Sequence, residues 1–244
     1  MSENTRELVR QICSNFVVVL EHVEERLESL GSDGMLINRE TNKLVPVPHD
    51  YFEEVGLHLN RFYFAMASLV LNDVRNVLEI GTGCAESTIC FSKLFPEATI
   101  YTVDIPPYDP DKGISWANVR GGLRKANLSR GENIVLIEQN SFFLPSMVLP
   151  DEFDIILVDG IHNYPQVSAD HAYAYNHMTE GGFMFMHDYD TPKSKDRIHP
   201  KNQVGEVVDW IAKRIPEKVF LFPMITPPIL PEKRMPLLVK GRNE

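Results

Sequence analysis

Apolar residues recur at three- and four-residue steps between Leu8 and Leu30, which predicts an amphipathic helix at the start of the chain. Two short β-like stretches follow within Met35–Pro48 and could form a flap or a connector. Asp50 and Glu53 then have the spacing of a capping box, and a second helical pattern begins there. The pattern therefore predicts an N-terminal unit, residues 1–72, that consists of two helices and a flap.

After Asp73 the pattern changes to short apolar runs that alternate with helical stretches, which is typical of a parallel, doubly wound sheet. The predicted strands are Asn76–Ile80, Thr99–Asp104, Ile134–Glu138, Asp154–Asp159, Gly182–His187, Lys218–Phe222 and Pro236–Lys240. The predicted helices are Cys84–Phe95, Ile114–Ala126, Pro165–Met178 and Val204–Arg214, with a short turn after Phe142. A Pro-rich link joins the last two strands, which predicts an antiparallel hairpin at the sheet edge. Residues 73–244 are therefore expected to form a Rossmann-like α/β domain with a seven-stranded, mostly parallel sheet.

Composition narrows the classes of partner. The chain has 24 Lys and Arg against 34 Asp and Glu, a formal net charge of −10, which argues against a nucleic-acid partner. Its three cysteines have no paired spacing, which argues against a disulfide framework or a zinc knuckle. The apolar run Phe16–Leu20 is too short to span a membrane. We therefore expect a cytoplasmic protein that contacts neither nucleic acid nor membrane.

The first predicted strand runs into a glycine-containing turn and then a helix. Gly81 and Gly83 allow a tight turn and close approach to a ligand, and the helix N-terminus behind them presents free N–H donors. Asp104 ends the next strand, where a carboxylate can accept the hydroxyls of an adenosine ribose. Glu79 beside the turn suits a cationic ligand with amino and sulfonium groups. A turn with a purely structural role and a dinucleotide site remain alternatives, although a dinucleotide site more typically shows GxGxxG.

This region resembles the class I S-adenosylmethionine-dependent methyltransferases, from about Asp73 to the C-terminus. Glu79-Ile80-Gly81-Thr82-Gly83 resembles their first motif, and Asp104 resembles their ribose-binding acid. Asn140-Ser141 stands where many members carry an Asp-Ser that contacts the adenine edge. The resemblance implies S-adenosylmethionine as cofactor. The predicted cofactor-binding residues are Glu79, Gly81, Thr82, Gly83, Ala85, Ser87, Asp104, Ile105, Asn140, Ser141, Asp159 and His162.

Polar side chains follow the fourth and fifth strands of the predicted sheet. Asp159 and His162 come after one strand, and His187 and Asp188 come after the next. Because adjacent parallel strands bring their carboxyl ends together, we expect these four side chains to converge. They could deprotonate an acceptor hydroxyl, or hold a divalent cation that lowers its pKa. The predicted catalytic residues are His162, Asp159 and Asp188.

These two segments resemble the branch that includes catechol O-methyltransferase, macrocin O-methyltransferases and cephalosporin hydroxylase-like proteins. The resemblance implies a divalent cation such as Mg²⁺ on Asp159 and Asp188, with His187 or Tyr189 as a third ligand. Ile161 replaces an acidic residue of that pattern, and imidazole suits zinc, iron or nickel better than magnesium. Without a metal, His162 is the preferred general base, although it could instead cap the following helix or bond a neighbouring carbonyl.

The sequence thus predicts methyl transfer from S-adenosylmethionine to a hydroxyl oxygen of a small molecule by in-line displacement, an O-methyltransferase reaction. A non-catalytic methyltransferase-like binding module is an alternative, and an NAD(P)-dependent reductase is a further one. The apolar face of the first helix must pack on the domain or against a second subunit, so a homodimer is one of two interpretations.

Overall fold

The computed structural model describes residues 35–38, 43–46, 63–64, 67–106, 113–190, 203–215, 219–223 and 233–240. The predicted helix over the first thirty residues lies outside the described residues, as does most of the second helix. Within the predicted flap, β1 (Met35–Asn38) and β2 (Lys43–Pro46) form an antiparallel hairpin. The N-terminal unit as a whole therefore remains a prediction.

Five parallel strands form the main part of the sheet. They are β3 (Asn76–Ile80), β4 (Thr99–Asp104), β5 (Ile134–Glu138), β6 (Phe153–Val158) and β7 (Met178–Met186). Their order across the sheet is β5-β4-β3-β6-β7, so the chain moves outward in both directions from β3. This reversal confirms the predicted Rossmann-like, doubly wound fold. It also opens a crevice at the carboxyl end of β3, where such sheets bind ligands.

The far edge of the sheet is antiparallel. Strand β10 (Lys233–Val239) lies between β7 and β9 (Val219–Pro223) and runs against both. A two-residue strand, β8 (Tyr189–Asp190), continues the direction of β7 and pairs with the beginning of β10. The predicted hairpin is present, but the predicted count of seven strands is not confirmed, because β8 makes this a sheet of eight among the described residues.

Helices cover both faces of the sheet. They are α1 (Glu86–Leu94), α2 (Gly113–Leu128), α3 (Tyr164–Asn176) and α4 (Val204–Ala212), with a 3₁₀ turn at Ser141–Ser146. Because both faces are covered, the central strands are mostly apolar, as β6 shows with five buried apolar residues in a run of six. Met178, predicted as the end of α3, instead begins β7. Among the described residues, no helix has the length and apolar character needed to cross a membrane.

Two apolar cores lie on opposite faces of the sheet. One contains Phe91 of α1 and Phe185 of β7, and Phe64 packs between them with ring centroids 4.1 and 5.6 Å away. The other is formed largely by α3, α4 and the facing side chains of β6 and β7. Phe64 precedes the predicted domain boundary, so part of that segment shares the core of the sheet. The two cores fix the strands whose carboxyl ends carry the polar residues described next.

Candidate functional site

The turn after β3 is shaped by close contact with β6. Gly81 has a φ of +105°, and a Cβ added there would lie 2.0 Å from the Asp159 carbonyl oxygen. Only glycine therefore fits at this position. Ala85, the N-cap of α1, is also left-handed, with φ of 66°, and makes no side-chain cap hydrogen bond. The first turn of α1 therefore has no hydrogen bond from the side chain of its N-cap residue.

A pocket of about 450 Å³ opens beside this turn, at the carboxyl ends of β3, β4 and β6. Ten of the twelve predicted cofactor residues line it: Glu79, Gly81, Thr82, Gly83, Ser87, Asp104, Ile105, Asn140, Ser141 and Asp159. Ala85 does not, because it is completely buried beneath the turn. His162 does not either, although its neighbour Ile161 does. Arg120 and Gln139 line the pocket as well and were not predicted.

Glu79 lies at the floor of the pocket with only 1% of its surface exposed. Its Oε2 accepts hydrogen bonds from the hydroxyls of Thr88 and Thr102, and Thr102 in turn contacts the Thr82 hydroxyl at 2.6 Å. Burial raises the pKa of Glu79 to about 8, because the two threonine hydrogen bonds only partly offset the loss of hydration. In the absence of a cation, the fold therefore favours the neutral form of Glu79, and its predicted contact with a cationic ligand remains a prediction.

Asp104 is held by three donors on one oxygen. Its Oδ2 accepts hydrogen bonds from Gly83 N at 2.9 Å, from Arg120 at 3.0 Å and from Arg124. Arg124 is 3% exposed and also donates to the carbonyl oxygens of Gly83, at 3.0 Å, and Ile105, at 3.2 Å. One buried guanidinium thus ties the glycine turn to the end of β4. Because all three donors use Oδ2, Oδ1 is the oxygen of Asp104 left to accept a ribose hydroxyl.

The wall of the pocket beyond Asp104 follows β5. The side chain of Asn140 accepts a hydrogen bond from Phe142 N at 2.9 Å and so caps the 3₁₀ turn. Ser141 Oγ accepts a hydrogen bond from Gln166 Nε2 of α3 at 2.6 Å. Both predicted residues therefore lie at the pocket, each already engaged with the protein.

The four predicted polar residues after β6 and β7 converge as expected. His187 Nδ1 lies 2.8 Å from Asp159 Oδ1 and 3.3 Å from Asp188 Oδ1. His162 lies between the same carboxylates, with Nε2 3.7 Å from Asp159 and Nδ1 3.6 Å from Asp188. His162 does not cap the following helix, because Asn163 is the N-cap of α3. We call these four residues the carboxylate–histidine cluster.

The charges of this cluster stabilise one another. Burial alone would lower the pKa of His187, but the charge and hydrogen bonds of Asp159 and Asp188 raise it to about 10. Burial alone would raise the pKa of Asp159, but the charge of His187 and hydrogen bonds from both histidines lower it. A hydrogen bond with Asp159 raises the pKa of His162 as well. The arrangement thus favours an imidazolium at His187, paired with the carboxylate of Asp159.

A family model described as a methyltransferase domain matches residues 78–189, from β3 through the carboxylate–histidine cluster to Tyr189. This match confirms the predicted resemblance to the class I S-adenosylmethionine-dependent methyltransferases over these residues. No curated protein sequence matches this chain at a significant level.

Solved structures share the fold of this chain at low identity. A provisionally assigned O-methyltransferase from Klebsiella pneumoniae aligns with a TM-score of 0.55 and 17% identity, over 92% of this chain and 90% of that one. The O-methyltransferase TomG from Streptomyces achromogenes, in complex with SAM, gives 0.52 and 19%, over 89% and 90%. The N-methyltransferase NodS from Bradyrhizobium japonicum WM9 gives 0.51 and 15%, over 78% and 99%. These structural neighbours thus include both O-methyltransferases and an N-methyltransferase.

The pocket has polar and apolar groups that suit the chemistry of S-adenosylmethionine. Gly81 lets the backbone turn tightly beside the pocket, and Asp104 Oδ1 can accept a ribose hydroxyl. Ile105 and Ile161 line the pocket with exposed apolar side chains that could contact a flat base. A volume of about 450 Å³ lies within the usual range of small-molecule sites.

The carboxylate–histidine cluster also has the donor atoms of a cation site. Ligand atoms of Asp159, His162 and Asp188 lie within 4.8 Å of one another. This set contains His162 in place of the predicted ligand His187, which instead contacts Asp159 and Asp188 directly. Two carboxylates and one imidazole suit a borderline transition metal at least as well as Mg²⁺.

Proposed function

We propose that this chain transfers the methyl group of S-adenosylmethionine to a hydroxyl oxygen of a small molecule. The observation that carries the proposal is the position of the carboxylate–histidine cluster, whose members Asp159 and His187 line the same pocket as the glycine turn and Asp104. A cofactor bound along the turn would therefore end beside groups that can accept or hold a proton. The bound cofactor supplies an electrophilic methyl sulfonium.

The protein's own contribution is mainly to position the reactants. Gly81 and Asp104 orient the donor, and in-line alignment of an acceptor oxygen supplies most of the acceleration. A hydroxyl is a weak nucleophile until its proton is removed or shared, which is why an acid–base cluster favours oxygen over an unprotonated amine as acceptor. Asp159, His162 and Asp188 assist either by taking this proton directly or by holding a divalent cation that lowers the pKa of the hydroxyl.

The proposal extends to the setting of the reaction. A net charge of −10 supports a small-molecule acceptor rather than a nucleic acid, and a cytoplasmic location accords with the absence of paired cysteine spacings. Association into a homodimer through the N-terminal helix is part of the same proposal. Sedimentation of the chain without residues 1–30 tests it, because the same number of subunits as in the full chain would contradict that interface.

Calorimetric titration tests the cofactor assignment. We expect the chain to bind S-adenosylmethionine and its demethylated product, S-adenosylhomocysteine, and to ignore NADH. Binding of NADH alone would overturn the proposal in favour of a reductase. Binding of the cofactor without methyl transfer to any phenol, sugar or hydroxy-acid acceptor would favour a binding module.

Metal removal separates the two forms of assistance. Methyl transfer is measured after chelator treatment and after adding back Mg²⁺, Mn²⁺ or Zn²⁺. A cation requirement predicts loss and recovery of activity, and Asp188→Asn should weaken cation binding measured by calorimetry. Direct proton transfer predicts activity that the chelator leaves unchanged but His162→Ala lowers.

A further inference from the structure

The start of α4 contacts the segment that carries His162. The backbone N–H of Gln203, the N-cap of α4, donates to the His162 carbonyl oxygen at 2.8 Å. The side-chain Oε1 of Gln203 accepts a hydrogen bond from Tyr164 N at 2.9 Å. Gln203 thus bonds the chain on both sides of Asn163, the N-cap of α3. The backbone around His162 is therefore held by a residue from outside its own segment.

The same helix contacts the segment that carries Asp188. The hydroxyl of Tyr189, a side chain that is 4% exposed, donates to Asp209 Oδ1 on α4 at 2.8 Å. On the other side of Asp188, His187 N donates to the Val158 carbonyl oxygen at 3.0 Å. Asp188 has a φ of 59°, which is uncommon for a residue other than glycine and persists where the surrounding structure holds it. Asp209 supplies one of the two contacts that hold this conformation.

The attachment of α4 to the sheet does not depend on these two polar contacts. Val207, Val208 and Ile211 are buried in the core that α4 shares with α3, β6 and β7. Gln203 and Asp209 are only half-buried. Because apolar burial holds the helix in place, the main effect of the two polar contacts is on the segments that they bond.

The relative position of these segments sets the contacts of the carboxylate–histidine cluster. His162 lies 3.7 Å from Asp159 and 3.6 Å from Asp188, and both distances exceed those of a good hydrogen bond. Contacts of this length depend on where the backbone lies. A misplacement of about 1 Å at a reacting centre can lower a rate by about a hundredfold.

We propose that Gln203 and Asp209 are positioning residues, through which α4 holds His162 and Asp188 in the relative position that methyl transfer needs. The inference rests on the proposed function, since it concerns the same cluster. Neither Gln203 nor Asp209 lines the pocket, so each acts through the segment that it bonds.

Chemical labelling tests the inference without a methyl acceptor. Diethyl pyrocarbonate modifies accessible imidazole nitrogens, and mass spectrometry of peptides gives the labelling rate of His162 relative to His177 at the far end of α3. Gln203→Leu should release the His162 segment, and Asp209→Leu should move Asp188 away from His162 Nδ1. Each variant should raise the ratio about threefold or more. The dissociation constant of S-adenosylhomocysteine, measured by calorimetry, should stay close to that of the wild type.

Conservative variants test whether the named hydrogen bonds are responsible. Asp209→Asn keeps an oxygen that can accept the Tyr189 hydroxyl, so it should keep the wild-type ratio. Tyr189→Phe removes only that hydroxyl and should raise the ratio as Asp209→Leu does, which covers the case in which Asp209→Leu fails to fold. Glu206→Ala loses a 3.3 Å contact with Gln203 Nε2 and leaves the acceptor of Tyr164 N in place, so the ratio should not change.

Val208→Ala is the matched control for stability. It loses buried apolar surface on the same helix, so it should lower the melting temperature but keep the wild-type ratio. An unchanged ratio in Gln203→Leu and Tyr189→Phe, or an equal rise in Val208→Ala, would overturn the inference alone. A wild type that does not bind S-adenosylhomocysteine would overturn the proposed function, whichever ratios the variants give.

Discussion

The two halves of the carboxyl edge of the sheet satisfy their polar groups in different ways. Around β3 and β4, Glu79 is bonded by two threonines, and Asp104 by a backbone N–H and two arginines. Around β6 and β7, His162 and His187 each lie between the same two carboxylates, those of Asp159 and Asp188, at distances of 2.8 to 3.7 Å. We call the half around β3 and β4, where the methyl donor would bind, the donor side, and the half around β6 and β7 the reacting side. The polar groups of the donor side are held in fixed positions, whereas those of the reacting side can change partners.

Both sides contain a non-glycine residue in a left-handed backbone conformation. Beside the glycine turn it is Ala85, with φ of 66°, which makes no side-chain hydrogen bond. On the reacting side it is Asp188, with φ of 59°, a polar member of the carboxylate–histidine cluster that lies between β7 and β8. Strained conformations of non-glycine residues often accompany functional sites. We therefore expect substitutions on the donor side to damage stability and binding together, and those on the reacting side to damage mainly catalysis.

The largest effect is expected for Gly81→Ala. The new Cβ would overlap the Asp159 carbonyl at 2.0 Å in a backbone conformation that disfavours alanine, so a loss of about 3 kcal/mol or more is expected. Thermal unfolding and S-adenosylhomocysteine binding measure it. Gly122→Ala on α2 is the control, since a Cβ there meets no atom within 4 Å and should leave stability unchanged or slightly improved.

Arg124→Met should come next. It removes a buried cation, takes one of three donors from Asp104 and removes the Arg124 donor from the carbonyls of Gly83 and Ile105, at a cost of about 3 kcal/mol. The matched variant Arg120→Met alters a side chain that is 26% exposed, and about 1 kcal/mol or less is expected. Chemical denaturation compares them. If both variants lose the same free energy of unfolding, Arg124 does not stabilise this side of the sheet more than Arg120 does.

Glu79→Gln should change the dependence of stability on pH. Because the folded-state pKa of Glu79 is raised to about 8, the fold favours its neutral form, and this stability is lost as pH rises from the unfolded value through about 8. Glutamine keeps an oxygen for Thr88 and Thr102 and does not titrate. Between pH 6 and pH 9 the wild type should lose about 1 to 3 kcal/mol relative to the variant. Parallel curves for the two proteins would contradict a neutral Glu79.

The smallest effect on stability is expected for His162→Ala. This side chain is only partly buried, and its contacts with Asp159 and Asp188 are long, at 3.7 and 3.6 Å, so a change of about 1 kcal/mol or less is expected. Binding of S-adenosylhomocysteine should change little, while methyl transfer falls. If His162→Ala lost as much stability as Arg124→Met, the proposed difference between the two sides would be contradicted.

Local signals made much of the fold predictable. The strands β3, β4 and β5 match their predicted bounds, because each is a short apolar run bounded by polar turn residues. The glycine turn also marks the end of β3. Strand β8 was missed because two residues give no periodicity and pair only with a distant strand. Met178 was assigned to a helix because an apolar residue at a helix end has the same local pattern as the start of a buried strand.

The candidate site was predictable where chemistry follows directly from strand ends. Asp104 and Asp159 were found from their positions after apolar runs, and both line the pocket. Arg124 was missed because it lies in the middle of a helix, although its spacing of four residues from Arg120 was a signal for a shared face. The burial of Glu79 could not be predicted, because it depends on contacts with Thr88 of α1 and Thr102 of β4, which come together only in the folded chain.

The position of β10 has a consequence for how the sheet assembles. Strand β9 is synthesised first but pairs outside β10, so neither can join the sheet until residues Lys233–Val239 have been made. Until then β7 presents an open row of backbone donors and acceptors, which invites pairing with other nascent chains. Polypeptides shortened before β10 should therefore aggregate rather than form a smaller domain.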